Sequence, residues 1–402
     1  MMIKPELLAP AGNMEKLQIA YRFGADAAYI GGKVFGLRKY SDNFSLYEIE
    51  QAVRLANQLN KQLYVVLNGF AHDEDCPDLI THLKALEDIQ PHAFIVSDLG
   101  VAQLVNRYTS IPLHVSTQAS ITNHYGCQFW KDHGAKRIIL AREVSILDCI
   151  DIQKKCPIEL EIFVHGAMCA SYSGKCTISN ISAGRDSNRG GCVQSCRHKY
   201  DLIDPNNNEQ LDSKHIMNAK DLMGLYQIPA CIKASIASLK IEGRMKSNLY
   251  VANAVRSYRS AIDYCYEHIR HNQTIEYSFL NRLETQLRQV SNRDFSSGGL
   301  EHIPAGDSIH YNFGGYQKQL DYIGIVRDVI DEERVVIDVK NTFKQGDQLT
   351  VLKSESDIEQ LLPINNFWSL TGENLVIGKQ NSLISLPYFK NAKPFDVITR
   401  QL

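Results

Sequence analysis

The stretch "SLKIEGRMKSNLYVANAVRSYRSAIDYCYEHI", residues 238–269, joins a short apolar run to a segment with helical spacing. The run "SLKIEGR" has the length and bounds of a buried strand, and the segment after it reads as one long helix. Seven earlier runs repeat this design: "ELLAP" (6–10), "DAAYIG" (26–31), "QLYVVLN" (62–68), "AFIVSD" (93–98), "LHVSTQA" (113–119), "RIILARE" (137–143) and "LEIFVHG" (160–166). Amphipathic stretches separate most of them. In "SLYEIEQAVRLANQLN" (45–60), for example, Leu46, Ile49, Val53, Leu55 and Leu59 approximate one face. Eight strand–helix units in roughly 270 residues fit an α/β fold of the TIM-like (β/α)8 type better than an open sheet. A doubly wound sheet shares the spacing, since spacing alone does not show closure.

The barrel is expected over 1–270, with an insertion of about 167–237 after the seventh strand. Loops at the carboxyl ends of barrel strands build active sites, so this insertion lies on the chemically useful face. Within it, "VQSCRHKYDLIDPNNNEQL" (193–211) turns at Asp204-Pro205-Asn206, and a small hairpin is expected there. Residues 271–304 read as a short helix and a Ser/Gly-rich linker. Beyond them the period becomes two: "YIGIVRDV", "ERVVIDVKN", "DQLTVLK", "ENLVIGK" and "SLISLP" are short strands joined by polar turns. A small β-barrel over 305–402 follows.

The 402 residues carry a net charge of −2, 44% hydrophobic and 22% charged residues, which describes an ordinary globular chain without general attraction to nucleic acid. No apolar run approaches the roughly 20 residues that span a bilayer. The start, "MMIKPELLAPAGN", shows neither a signal-peptide core nor a transit-peptide bias, so a cytoplasmic location is expected. Thiols stay reduced there, which disfavours disulfides.

Four of the ten cysteines crowd the insertion. Cys169, Cys176, Cys192 and Cys196 follow C-x6-C-x15-C-x3-C. Four thiolates suit zinc or an iron–sulfur cluster. Structural zinc sites use tight C-x2-4-C pairs, and the wider first spacing favours the larger cluster. Gly166, Gly174, Gly184, Gly190 and Gly191 would let the backbone wrap it. The other six (Cys76, Cys127, Cys149, Cys156, Cys231, Cys265) read as dispersed buried residues.

The segment "EIFVHGAMCASYSGKCTIS" (161–179) resembles the signature of the collagenase-like peptidase family U32. The likeness extends through "PELLAPAGN" (5–13), "GADAAYIGG" (24–32), "HVSTQASITN" (114–123), "SLKIEGRMKS" (238–247) and "VKNTFKQGDQL" (339–349), nearly the whole chain. It is nearest to the branch of bacterial tRNA hydroxylation proteins. That resemblance implies oxygen-independent formation of 5-hydroxyuridine at the tRNA wobble position, with prephenate as co-substrate and a Cys-bound iron–sulfur cluster of the 4Fe-4S type. The implied ligands are Cys169, Cys176, Cys192 and Cys196. One branch replaces the last with a later cysteine, for which Cys231 is the local counterpart. Met223 stands where many relatives look to have cysteine.

A peptidase is the alternative that the family name suggests. The chain has no H-E-x-x-H or G-x-S-x-G, and a Cys169 nucleophile with His165 as base would not need three further thiols. A non-catalytic RNA-binding or cluster-carrying scaffold is the third reading. Hydroxylation needs a cationic pocket for a dicarboxylate, and strand alternation places Lys240, Glu242 and Arg244 on one face of the eighth run, with Lys246 just beyond. The same triplet also reads as an internal salt-bridge layer. Polar residues at strand ends (Asn68, Asp98, Ser116, Gln118, Arg142, Glu143, His165) are candidates for donor or base contact, with Ser116 and Gln118 sharing a face. His165 and Glu242 are the candidates for proton transfer. For tRNA, Arg185, Arg189, Arg197, His198 and Lys199 form a basic rim, joined by Arg38 and Lys39, with Phe35, Tyr40 and Phe44 available for base stacking.

Overall fold

The structure is a computed structural model that describes residues 3–33, 35–36, 42–330, 333–354 and 359–402. Eight parallel strands form its core: β1 (Glu6–Pro10), β2 (Ala27–Gly31), β3 (Gln62–Leu67), β4 (Ala93–Val96), β5 (Leu113–Val115), β6 (Ala135–Ile139), β7 (Glu159–Gly166) and β8 (Ser238–Ile241). Each pairs with the next in order through β7. β8 then pairs in parallel with both β7 and β1, through Ser238↔Glu161 and Glu6↔Ser238, which closes the ring. The barrel is therefore closed, and the open-sheet alternative falls. Its strands are almost wholly buried because side chains meet the barrel interior on one face and helices on the other.

Most of the barrel helices begin where a short polar side chain satisfies a free amide, while Cys76–Ile89 and Ile228–Lys233 start instead with a proline in the first turn. Asn13 accepts from Lys16 N, Asp98 from Val101 N, and Ser247 from Tyr250 N. Ser45 with Glu48 and Ser145 with Asp148 form reciprocal capping boxes. The helix Asn248–Arg270 after β8 spans 23 residues and buries an apolar face that includes Tyr250, Val251, Val255 and Tyr258.

Between β7 and β8 runs the insertion. It holds the expected hairpin, Tyr200–Ile203 against Gln210–Lys214. It then returns as Asp221–Met223, antiparallel to the end of β7, before the helix Ile228–Lys233 completes the seventh unit. Phe295–Ser296, from beyond the barrel, pairs with Asp221–Met223 and brings segment 291–296 to the barrel mouth.

Leu320–Gln401 forms an antiparallel sheet of eight strands around its own core, including Val335, Ile337, Leu349, Phe367 and Ile398. Its end strands, Gln360–Pro363 and Asn374–Leu375, are not paired with each other among the described residues. Leu320, Ile325, Leu352 and Val397 join the barrel core, and Arg327 pairs with Glu15, so the sheet packs directly on the barrel.

Candidate active site at the mouth of the barrel

The cysteine-bearing loop is tied down across the carboxyl ends of the strands. At β5, a Cβ on Gly174 (φ +73°) would collide with the Gln118 carbonyl, and Ser120 Oγ donates to Ser173 O. At β6, Arg142 N donates to Ser173 Oγ at 3.1 Å, and Ser173 N donates to Glu143 Oε1 at 3.0 Å. Arg142 also donates to Ala167 O at 2.6 Å while its guanidinium lies 4.0 Å from the Phe163 ring. At β3, Phe70 N donates to Asn188 O, and Arg189 binds Phe70 O and Asp75. Arg197 closes the loop from within by donating to Met168 O, Ala219 O and Asn218 Oδ1. The residue after Cys196 thus grips the residue before Cys169.

All four thiols are free; Cys169 and Cys192 are exposed, Cys176 and Cys196 half-buried. Burial pushes the Cys196 thiol up, Arg197 opposes this, and the charges of Cys169, Cys192 and Cys176 push it further. All three other sulfurs are therefore within electrostatic reach of Cys196. Among the described residues no three His, Cys, Asp or Glu side chains are drawn in tightly enough to hold a single ion. Four soft sulfur ligands on a loop bounded by tight glycine turns fit an iron–sulfur cluster, which Cys169, Cys176, Cys192 and Cys196 would hold. Cys231 is fully buried near Cys149, its thiol pushed far up by burial, so it packs as core. Cys76 is half-exposed rather than buried, and the other dispersed cysteines are buried.

The β8 triplet does not share one face. Lys240 is buried against Glu161 at 2.8 Å, and Arg137 joins Glu161 (3.3 Å), Glu6 (2.6 Å) and Glu159 (2.9 Å). Burial alone would raise the Glu161 carboxyl; Lys240 and Arg137 outweigh it and hold the carboxyl below its ordinary range. Lys240 therefore belongs to an internal salt-bridge layer rather than a donor pocket. The register shifts between Lys240 and Ile241, and Gly243 turns the chain at φ +156°. Strand alternation ends there, and the two remaining side chains diverge. Arg244, 6% exposed, lies over β2, where a Cβ on Gly31 would collide with its Nη1. Glu242 is half-buried near Lys246 and Asp221.

Ser116 and Gln118 also differ from a strand. β5 ends at Val115, and Ser116 Oγ accepts from Gln118 N, capping the turn Thr117–Ala119. Asn68 Nδ2 donates to the same oxygen at 3.3 Å, so Ser116 organises the mouth. Gln118 is half-buried, with its carbonyl against Gly174. His165 is 1% exposed under the helix after β8, among the rings of Tyr258, Tyr250 and Phe295. Burial and then the charge of Lys246 push it down to about 3, so its ring is uncharged at physiological pH.

A charged node that sequence reading missed adjoins the thiol loop. Asp221, 1% exposed, lies 3.6 Å from Arg293 and 3.9 Å from Lys246. Both cations sit 4.0 Å from the Tyr316 ring, and Arg293 reaches Gln194. An aspartate inside the apolar run "DLMGL" was the available signal. The basic rim is thinner than expected: Arg185, His198 and Lys199 are exposed, while Arg189 and Arg197 serve the loop itself. Phe44 is buried and Phe35 packs on the core, so neither is placed to stack on a base; Arg38, Lys39 and Tyr40 lie outside the described residues.

The profile of peptidase family U32 matches residues 12–309, and that of the U32 C-terminal domain matches 318–398. This chain belongs to peptidase family U32. Among U32 relatives, tRNA hydroxylation protein P1 of Bacillus subtilis is 40% identical over 92% of this chain and 89% of its own length. A 23S rRNA 5-hydroxycytidine synthase of Escherichia coli is 37% identical over 64% of this chain and 39% of its own. A collagenase of Porphyromonas gingivalis is 30% identical over 79% of each. In this U32 chain no hydrogen bond joins any of the four clustered thiols to a histidine among the described residues, and His165 is sealed against Tyr258. Among the described residues, the Cys–His hydrogen bond of a thiol peptidase is not formed.

Proposed function

We propose that this U32 chain is an RNA-modifying enzyme that hydroxylates uridine at the tRNA wobble position, using prephenate as co-substrate and a 4Fe-4S cluster on Cys169, Cys176, Cys192 and Cys196. The observation that carries this reading is the fastening of the loop that bears all four cysteines across the carboxyl ends of β3, β5 and β6, the face where barrels do chemistry. Relatives named for tRNA hydroxylation and for rRNA hydroxycytidine synthesis support the reaction class.

Replacing C5–H by C5–OH without molecular oxygen is a two-electron oxidation of the base, so the organic co-substrate must take up those two electrons whether the oxygen comes from it or from water; a cluster held by the four cysteines would relay them singly. The protein's own residues have definite tasks. Arg197 and Arg142 hold the two arms of the thiol loop at fixed carbonyls, so the ligands are set before substrate arrives. Glu242, half-buried near Lys246, would be the proton acceptor in this reading. The exposed cations Arg185 and Lys199, with the His198 imidazole beside them, meet RNA phosphates at the rim.

The test is nucleoside analysis of tRNA from cells lacking the gene and complemented with wild type, C169A or C196A. Loss of 5-hydroxyuridine, restored only by wild type, is expected. Unchanged tRNA, together with peptide cleavage by metal-free protein that C169A abolishes, would move the chain to the peptidase reading suggested by its collagenase-named relative.

A further inference from the structure

The thiol loop has two arms, and the second, Cys192–Cys196, is reached by a side chain from outside the insertion. Within the insertion, Val193 N donates to Ser179 Oγ at 3.2 Å, the Ser195 and Ser182 hydroxyls bond at 2.6 Å, and Tyr200 donates its hydroxyl to Ser195 O at 2.8 Å. From beyond the barrel, Arg293 Nη2 donates to Gln194 Oε1 at 3.4 Å. Gln194 stands midway between Cys192 and Cys196 with a left-handed backbone, φ +61°. A residue other than glycine adopts that conformation at a cost, so what holds its side chain bears on the path of the chain between the two cysteines. The Gln194 carbonyl also accepts from Arg197 N at 2.8 Å, and Arg197 grips Met168 O on the first arm.

The guanidinium is built into place. Arg293 is 4% exposed, and the segment that carries it is pinned on both sides. Asn292 and Gln317 exchange backbone bonds at 3.0 and 2.8 Å, and Phe295–Ser296 pairs with the strand that begins at Asp221. The Arg293 guanidinium lies 4.0 Å from the Tyr316 ring, with Asp221 Oδ1 3.6 Å away. Among the described residues neither Asp221 oxygen receives a hydrogen bond, and this one carboxylate faces two cations, Arg293 and Lys246. An ion pair kept for stability alone would close to hydrogen-bonding distance. Here the carboxylate and the ring fix the plane of the fork, and a terminal nitrogen of that fork is spent on Gln194.

We propose that Arg293 is a positioning residue for the second arm: held against Tyr316 and countered by Asp221, it grips the Gln194 side chain and so sets the places of Cys192 and Cys196. It acts through Gln194 and touches no reacting atom. What the arm holds rests on the cluster reading; where the arm lies does not.

The test is alkylation by iodoacetamide of the full-length, metal-free chain under anaerobic conditions, resolved thiol by thiol, for wild type, R293K, Q194N and the double variant. Lysine keeps the charge but lacks the fork. Asparagine tolerates the left-handed backbone but is one methylene too short. Neither substitution changes the charge near the thiols, so a shifted thiol pKa does not enter the comparison. Expected is alkylation of Cys192 and Cys196 about fivefold faster in each single variant, the factor that one ordinary hydrogen bond confers. The double variant should be no faster than either, and Cys169 and Cys176 should keep wild-type rates. Gln194 is exposed, so Q194N keeps the test valid if R293K misfolds. After reconstitution, the electron paramagnetic resonance spectrum of the reduced cluster should differ from wild type in R293K and Q194N alike. Wild-type rates at Cys192 and Cys196 in Q194N and in folded R293K would overturn the positioning role, and an intact wild-type cluster would then leave the cluster reading standing. Equal acceleration at all four thiols would overturn it too, as general loosening. Acceleration confined to Cys192 and Cys196 in a chain that assembles no cluster would keep the positioning role and remove the cluster reading.

Discussion

At the scale of single residues, Asp221 anchors the charged node beside the thiol loop. Its carboxylate is buried between Lys246 and Arg293, so Asp221→Asn removes their shared counter-charge and leaves two cations desolvated. Breaking a buried pair in this way costs about 3–5 kcal/mol; urea unfolding of D221N should show a loss near that size, with a smaller loss in D221E. The histidines set a pH dependence. His165 and His114 are both pushed down to about 3, by burial first, from the ordinary 6.5. Because the folded values are depressed, the unfolded chain binds the extra protons. Their contribution is complete above about pH 6.5 and declines as pH falls toward 3, by ~1.4 kcal/mol per unit for each histidine. The measurement is stability between pH 5 and 7, where H165F, if folded, should show a shallower acid limb than wild type. Asp221, Arg293 and Tyr316 were illegible in the sequence because they come from the insertion and from segments beyond the barrel. The pairing of Phe295–Ser296 with Asp221–Met223 and the bridge between Asn292 and Gln317 bring them together.

At the scale of elements, the eight strands were legible because a strand buried on both faces must be apolar, and the helices between them declare their starts with Asn, Asp or Ser caps. What failed was the assumption that alternation continues to the end of each apolar run. In "LHVSTQA" the strand stops at Val115 because the Ser116 hydroxyl offers a turn cap, a local competitor to the ladder. In "SLKIEGR" the register shift and Gly243 separate Lys240, Glu242 and Arg244 into three environments. The thiol loop depends on one such local detail. Gly174 combines a positive φ with a backbone contact that leaves no room for a Cβ. Gly174→Ala should free the loop from β5 while sparing the barrel. Expected is faster alkylation of Cys169 and Cys176 in the metal-free protein with the unfolding midpoint little changed. Alkylation at the wild-type rate would show that this anchor is dispensable.

At the scale of the whole molecule, the chain is a closed barrel with an inserted thiol loop and an antiparallel sheet packed on its side. Each part was readable from the period of its apolar residues, while the site required the fold to show which ends meet. Among the described residues no helix is long and apolar enough to cross a membrane. With a net charge of −2, the tRNA binding that the proposed function requires would have to come from the local rim. Lys199→Ala should therefore reduce the salt slope of tRNA binding by about 1, and an unchanged slope would place RNA elsewhere on the surface. The central claim is that Cys169, Cys176, Cys192 and Cys196 jointly hold one redox cluster. Its most direct measurement is the iron and acid-labile sulfide content, with Mössbauer spectra, of anaerobically purified wild type and of each single Cys→Ala variant. Expected is one 4Fe-4S cluster per wild-type chain and its loss or degradation in all four variants, while C231A, if folded, keeps it. Wild type that holds no iron or sulfide after anaerobic reconstitution, or four variants that retain the intact cluster, would contradict it.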